Sequence, residues 1–384
     1  MMAVCDGETE VAMAPEHVLV TGGAGFVGSF LADALVSRGH EVVVYDSLEP
    51  QVHVAARPAY LNAGVRYVWG DICHRPQLGP VVCRADVVVH LAALVGVGQS
   101  QYQVRRYAEA NVLGTANLLD ILANRRHRCR KLVVAGSMSS YGEGLYECAE
   151  HGRIRPTRVL PIMPAVDDWE LRCPTCNQPA KALPIPESAA LHPTSIYAVT
   201  KASQEALALA FGRAYDLPTV VLRFFNVYGP RQSLSNPYTG VAAIFLSRLK
   251  NGRRPLVYED GRQTRDFVSV HDVVRAIVAA IEQPAADGEV FNVGTGRPVA
   301  IAQIAECLAD TCHSPLRPRI TLRFRKGDVR HCVADITKIR NRLGFQPHVG
   351  LADGLRELVN CSQSVWADDR FARAARELAV RRLA

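Results

Sequence analysis

Short, uninterrupted apolar runs alternate with stretches of helical spacing over the first 225 residues. The runs are His17–Thr21, Glu41–Tyr45, Val65–Trp69, Asp86–Leu91, Lys131–Ala135 and Thr219–Phe224, each dominated by Val or Leu. A strand with no polar alternation is buried on both faces. Between the runs, Ser29–Ser37, Gln101–Arg125 and Ser195–Tyr215 repeat apolar residues at helical intervals. This alternation predicts an α/β fold, a Rossmann-type doubly wound parallel sheet over residues 17–225. Residues 226–384 are mixed, with helices near Val241–Asn251, His271–Glu282 and Ile301–Asp310 separated by short strands. They predict a smaller mixed α/β substrate lobe, interleaved with the first. Residues 143–186 break the pattern. They are rich in Pro and Arg and too long for an ordinary connection, and so predict an insertion. Residues 1–16 read as a disordered lead, without the basic and apolar regions of a secretory signal.

The first strand runs into Gly22, Gly25 and Gly28, and a helix follows. Glycines at that spacing let the backbone approach a pyrophosphate, which rests on the N–H groups that open the helix. The turn predicts a dinucleotide site. Asp46 ends the second strand, 18 residues after Gly28. A carboxylate there accepts from both ribose hydroxyls and repels a 2′-phosphate, favouring NAD over NADP. Asp71, at the end of the third strand, either reaches an adenine amino group or caps the next turn.

Tyr197 and Lys201 are four residues apart in a helical stretch, which stacks them on one face about 6 Å apart along the axis. An ammonium beside a phenol favours phenolate and predicts a lowered tyrosine pKa. A tyrosinate can take a proton from a substrate hydroxyl while hydride leaves for nicotinamide. Ser137 follows the fifth strand, where open α/β sheets bind ligands, and can hold the same oxygen. Ser139 and Ser140 are nearby alternatives.

Composition adds constraints. Of the 384 residues, 48% are hydrophobic and 21% charged, and no apolar run is long enough for a membrane helix. The net charge is +7 with the arginines scattered, which fits anionic small ligands and not nucleic acid. Eleven cysteines, an odd count, point to a reducing, cytoplasmic setting and not to a disulfide framework. Three of them fall in the insertion. Cys148 and His151 are spaced C-x2-H, and Cys173 and Cys176 C-x2-C, with 21 residues between the pairs. Two such pairs form a tetrahedral Cys3His zinc site if they converge. A reducible cysteine pair or free thiols are the alternatives.

The chain resembles the nucleotide-sugar epimerase/dehydratase family of extended short-chain dehydrogenases/reductases. The motifs that carry the resemblance are TGGAGFVGS at 21–29, GDI at 70–72, HLAA at 90–93, NVLGT at 111–115, GSMSSYG at 136–142, YAVTK at 197–201, RFFNVYGPRQ at 223–232, GRQTRDFVSVHDV at 261–273, NVGTG at 292–296 and GDVRH at 327–331. They occur in family order along nearly the whole chain. The resemblance implies a catalytic Tyr197 with Lys201 and Ser137, and an NAD site. In that site Gly22, Gly25 and Gly28 form the turn and Phe26 and Val27 give amides. Asp46 takes the ribose, Asp71 and Ile72 the adenine, and Leu91, Ala92 and Ala93 line the cofactor. Asn111 is implied as a structural or ribose-side residue. Asn226, Arg231, Arg265 and Arg330 are implied to hold the nucleoside diphosphate of the substrate, with Ser139 near the sugar. A homodimer built on Gln101–Arg125 and Ser195–Tyr215 is implied as well.

The resemblance also bears on the reaction. A family dehydratase carries Asp-Glu directly after the Ser/Thr, and a decarboxylase keeps the Glu. Here those positions are Met138 and Ser139, which leaves 4-epimerisation. Segments 137–148, 169–176 and 184–201 resemble the dTDP-L-rhamnose 4-epimerase subgroup, whose product is dTDP-6-deoxy-L-talose. A UDP-hexose or UDP-hexuronate 4-epimerase, and a non-catalytic NAD-binding regulator, are the alternatives. A net reductase would need NADPH, which Asp46 opposes.

Overall fold

The computed structural model describes residues 15–53, 57–156 and 169–383. Nearly all of the lead, and part of the insertion, lie outside the described residues. Seven parallel strands form the central sheet: β1 (His17–Thr21), β2 (Glu41–Asp46), β3 (Arg66–Trp69), β4 (Val87–His90), β5 (Lys131–Ser137), β6 (Thr219–Phe224) and β7 (Val290–Val293). Their spatial order is β3-β2-β1-β4-β5-β6-β7. The order reverses direction between β1 and β4, which opens a crevice beyond the strand ends.

The unbroken Val/Leu runs have a physical reason. Val18, Val20, Val87, Val89 and Val133 face one apolar layer, with helices Phe26–Ser37 and Val270–Glu282. Leu19, Val88, Leu132 and Val134 face the other, with helices Arg75–Arg84 and Gly114–Asn124. Each fully buried Val or Leu contributes about 1.5–3 kcal/mol, so a polar side chain on either face would cost stability.

Three features depart from the sequence pattern. The helix predicted over Gln101–Arg125 is composite: an α-turn at Val104–Tyr107, a π-helical stretch at Ala108–Leu113, then an α-helix at Gly114–Asn124. Such π-bulges recur where a side chain must be re-aimed. Here the stretch contains the buried Asn111. Strand β7 and helix Val270–Glu282, which the pattern gave to the second lobe, complete the first core, so the chain returns to it. The insertion folds as a small antiparallel sheet with Leu145–Cys148 between Gly152–Ile154 and Lys181–Leu183.

The second apolar cluster lies among helices Val241–Lys250, Ile301–Thr311 and Leu351–Cys361. Beside it, strand Thr264–Ser269 pairs with Asn226–Tyr228, Pro298–Ala300 and His331–Cys332. Among the described residues no helix is long and apolar enough to cross a membrane.

Candidate active site

The glycine turn is built as its chemistry requires. Gly22 has φ +71°, and a Cβ on it would stand 2.8 Å from the Ala92 nitrogen. A Cβ on Gly28 would stand 2.5 Å from the Gly22 oxygen. Gly25 caps helix Phe26–Ser37, and no side chain accepts from the first turn. The free amides around Phe26 and Val27 and the helix dipole therefore suit an anion. Asp46 is buried at the end of β2, where it accepts from the amides of Ala24 at 3.0 Å and Leu48 at 2.8 Å. This ties the carboxylate to the glycine turn. The residues present fit a dinucleotide.

Asp71 caps the amide of Cys73 at 2.7 Å from an exposed position, and Ile72 packs beneath Gly114. The amides of Leu91 and Ala92 donate to Thr21, so the Leu91-Ala92-Ala93 loop closes against the turn. Asn111 is engaged within the protein. Its amide spans Leu94 and the Thr200 hydroxyl, joining that loop to helix Ile196–Ala214.

Ser195 caps helix Ile196–Ala214 by accepting from the Ala198 amide. This places Tyr197 and Lys201, both buried, against the end of β5. The Ser137 hydroxyl lies 2.8 Å from the Ser139 hydroxyl, and Ser137 is the neighbour that favours the charged form of the Tyr197 phenol. The Lys201 ammonium donates to the Ala135 carbonyl at 2.7 Å and to Gln204 Oε1 at 2.5 Å.

One electrostatic expectation is corrected. Burial pushes the Tyr197 phenol up, with only the Ser137 hydrogen bond opposing it. Burial also lowers Lys201 to about 7, although Glu205 opposes the shift. In the cofactor-free chain, burial therefore opposes the charged form of both groups. The Lys201 shift predicts a pH effect. Between about pH 7 and 10.4 the unfolded chain holds a lysine proton that the folded, NAD-stripped protein has released. Stability contributed by this group therefore rises with pH across that window. A Tm series on stripped protein checks this, and Lys201→Met should flatten the slope.

Gln204 went unnoticed in the sequence, although it lies three residues after Lys201 on one helix face. It also contacts the fully buried His90, which joins Thr21 Oγ1 at 2.7 Å and Thr115 Oγ1 at 3.0 Å. Burial lowers His90 to about 3, so the ring is neutral and serves as a bridge. Lys201, helix Ile196–Ala214 and the glycine turn thus form one polar chain.

The four diphosphate candidates separate. Asn226 Oδ1 is buried with no hydrogen-bond partner. Arg265 donates to the carbonyls of Thr264, Val329 and Arg330. Among the described residues it has no carboxylate within salt-bridge distance, so its charge stays available. Arg231 lies elsewhere: it pairs with Asp33 at 2.7 Å and stacks over Phe30 of helix Phe26–Ser37. Arg330 departs furthest from expectation. Its fully buried guanidinium is enclosed by Glu170, Glu259 and Asp260, which already neutralise it. Arg325, which the motif comparison passed over, pairs with Asp328. Its loop packs, through Gly327, on Ser195 at the start of helix Ile196–Ala214.

In the insertion, Cys148, His151, Cys173 and Cys176 bring their ligand atoms within 4.8 Å of one another. His151 Nδ1 is 3.6 Å from the sulfurs of Cys148 and Cys173, and Cys148 Sγ is 3.5 Å from Cys176 Sγ. Ligands 2.0–2.3 Å from a tetrahedral zinc lie about 3.5–3.8 Å apart. A disulfide would need about 2.05 Å.

The sequence profile of the NAD dependent epimerase/dehydratase family matches residues 18–160, and that of GDP-mannose 4,6 dehydratase matches residues 179–358. A dTDP-L-rhamnose 4-epimerase of Burkholderia thailandensis is 35% identical over 347 residues, covering 89% of this chain and 94% of that protein. The chain belongs to the NAD dependent epimerase/dehydratase family. A UDP-glucose 4-epimerase of Mycolicibacterium smegmatis is 33% identical over 345 residues, 89% of this chain and 97% of the relative. The crystal structure of a Thermotoga maritima UDP-glucose 4-epimerase with UDP-glucose aligns with a TM-score of 0.74. It is 32% identical and covers 90% of this chain and 98% of that one. Within this NAD-dependent family of nucleotide-sugar epimerases and dehydratases, the crevice at the ends of β1, β4 and β5 is the candidate active site.

Proposed function

We propose that the chain is a nucleotide-sugar 4-epimerase acting on a dTDP-6-deoxy-L-hexose, the dTDP-L-rhamnose/dTDP-6-deoxy-L-talose pair. The observation that carries 4-epimerisation is the convergence of Ser137, Tyr197 and Lys201 at a strand end where no further acid or base follows. Met138 packs on the core, and the Ser139 hydroxyl is engaged with Ser137. Neither side chain can exchange protons at C5 or C6, as dehydration requires.

In this reading NAD supplies the hydride acceptor and, once reduced, the donor. Gly22, Gly25, Phe26, Val27 and Gly28 would hold its pyrophosphate, Asp46 its ribose, and Asp71 and Ile72 its adenine, with Leu91, Ala92 and Ala93 lining the cofactor. Tyr197 takes the proton of the C4 hydroxyl as C4 gives up its hydride, leaving a 4-keto sugar. Ser137 holds the C4 oxygen, and Lys201 positions the site through Gln204. The sugar then turns about its diphosphate, anchored by Asn226 and Arg265. Return of hydride to the other face would be matched by Tyr197 giving its proton back to the same oxygen. Net redox change is zero.

The Burkholderia relative supports the dTDP-deoxyhexose assignment. The UDP-glucose 4-epimerase relatives favour a second reading, a UDP-hexose substrate, with the same chemistry. Incubation with a panel of dTDP-, UDP- and GDP-sugars, without added cofactor, tests both. A product of unchanged mass is expected. Loss of water or carbon dioxide would overturn epimerisation.

Two further assignments belong to the same proposal. The Cys148–His151–Cys173–Cys176 cluster holds one structural zinc ion. A cytoplasmic homodimer forms through helix Gly114–Asn124, the turns before it and helix Ile196–Ala214, where Val104, Leu113, Val199 and Leu207 are exposed apolar residues.

A further inference from the structure

Glu170 is the contact that the active-site account leaves unexplained. It belongs to the insertion, three residues before the metal-ligand candidate Cys173, and its side chain is 47% exposed. One carboxylate oxygen joins the Arg330 guanidinium; the other accepts from or bridges to His331 Nε2 at 2.9 Å. Together these bonds hold the carboxyl well below its ordinary value, at about 2, the His331 hydrogen bond contributing most.

The insertion meets the same segment at other points. Glu143 accepts from the Arg330 amide, Tyr146 packs its ring 6.3 Å from His331, and the Ile185 amide donates to Val333. The His331–Cys332 strand pairs with Thr264–Arg265. The carbonyls of Val329 and Arg330 in turn grip the Arg265 guanidinium.

The four-ligand cluster sits at the root of this contact. Cys148 ends one strand of the insertion sheet, and the Cys173–Asn177 turn is hydrogen-bonded back on itself. The Ala180 amide returns to Leu171, next to Glu170. A metal joining Cys148 and His151 to Cys173 and Cys176 therefore fixes where Glu170 can reach.

We propose that the insertion is a metal-braced clasp: zinc at Cys148, His151, Cys173 and Cys176 holds Glu170 on Arg330 and His331, and that strand positions Arg265 for the substrate diphosphate. The last link rests on the nucleotide-sugar reading; the metal and the clasp do not. Glu170 is a positioning residue. Arg330 acts as the anchor of the clasp, which accounts for its carboxylate cage.

The test uses the full chain with its bound NAD. Metal analysis of purified protein should find about one zinc per chain. Glu170→Ala should keep that zinc and the NAD yet bind dTDP and UDP about tenfold more weakly by calorimetry. Cys173→Ser should lose the zinc and show the same weakening. A purely structural role for Glu170 would lower Tm and leave nucleotide affinity unchanged, which would overturn the clasp. Absence of stoichiometric zinc in the wild type would overturn the metal, whatever Glu170→Ala does. Failure of the wild type to bind either nucleotide would overturn the nucleotide-sugar reading, and with it the link to Arg265.

Discussion

Tyr197→Phe should lower turnover by about 10³-fold or more while bound NAD is retained. The substitution removes one oxygen and little else. The ring keeps its edge contact with Tyr107, 6.4 Å between centroids, and the Tyr197 amide still donates to Ser100 at 2.9 Å. The glycine turn and Asp46 are untouched, so cofactor content should match the wild type. What disappears is the phenol oxygen that, as tyrosinate, must accept the C4 proton. Turnover by chromatography and extracted NAD by absorbance read the two quantities separately. Turnover within about tenfold of wild type would place the base elsewhere. Equal inactivity of wild type and variant on every sugar nucleotide would favour an NAD-binding regulator.

How much of this was legible in the sequence depended on distance along the chain. Runs such as DVVVHL report two-sided burial because each residue alternates faces locally. The glycine turn, the Tyr197–Lys201 pair and the two Cys/His pairs are likewise short-range patterns. Their spacing alone states what they can do. Strand β7 was obscured because only its pairing with β6, about 70 residues away in sequence, makes it part of the first core. The π-helical turn at Asn111 leaves almost no trace in periodicity, since its extra residue shifts the register only once. Arg330 shows the limit most clearly. An arginine in a motif resembles any other cation until its partners are known, and Glu170 lies 160 residues away. Arg265 has the opposite environment, carbonyls without carboxylates, and only the folded chain distinguishes the two. Gln204 was available to a closer reading, because a side chain three residues beyond a catalytic lysine shares its helix face.

Arg223→Met should destabilise the protein by about 3–5 kcal/mol, the largest stability loss expected of a single change near the site. Arg223 and Glu205 are each 6% exposed and form a two-point pair, Nε to Oε2 at 2.9 Å and Nη2 to Oε1 at 2.5 Å. Arg223 also donates to the Tyr141 hydroxyl at 2.6 Å, which itself donates to Asn292 in β7. The pair thus ties the catalytic helix to β6 and to the turn that carries Ser137. Methionine fills much of the space but leaves the Glu205 carboxylate buried without its counter-charge. Adding Glu205→Leu should recover much of the loss, because burying two apolar groups costs less than burying one unpaired ion. Tm and denaturant midpoints of the two single variants and the double variant measure this, and a double variant no better than Arg223→Met alone would disprove it. Recovery of stability should not restore the pH profile. Glu205 is the group that raises Lys201 against the effect of burial. Without that carboxylate the lysine pKa falls further, so any activity that needs the ammonium should decline at lower pH in the double variant than in the wild type. The buried pair then serves two purposes that a hydrophobic replacement separates: it holds the helix in place, and it keeps a proton on the lysine beside the reacting sugar.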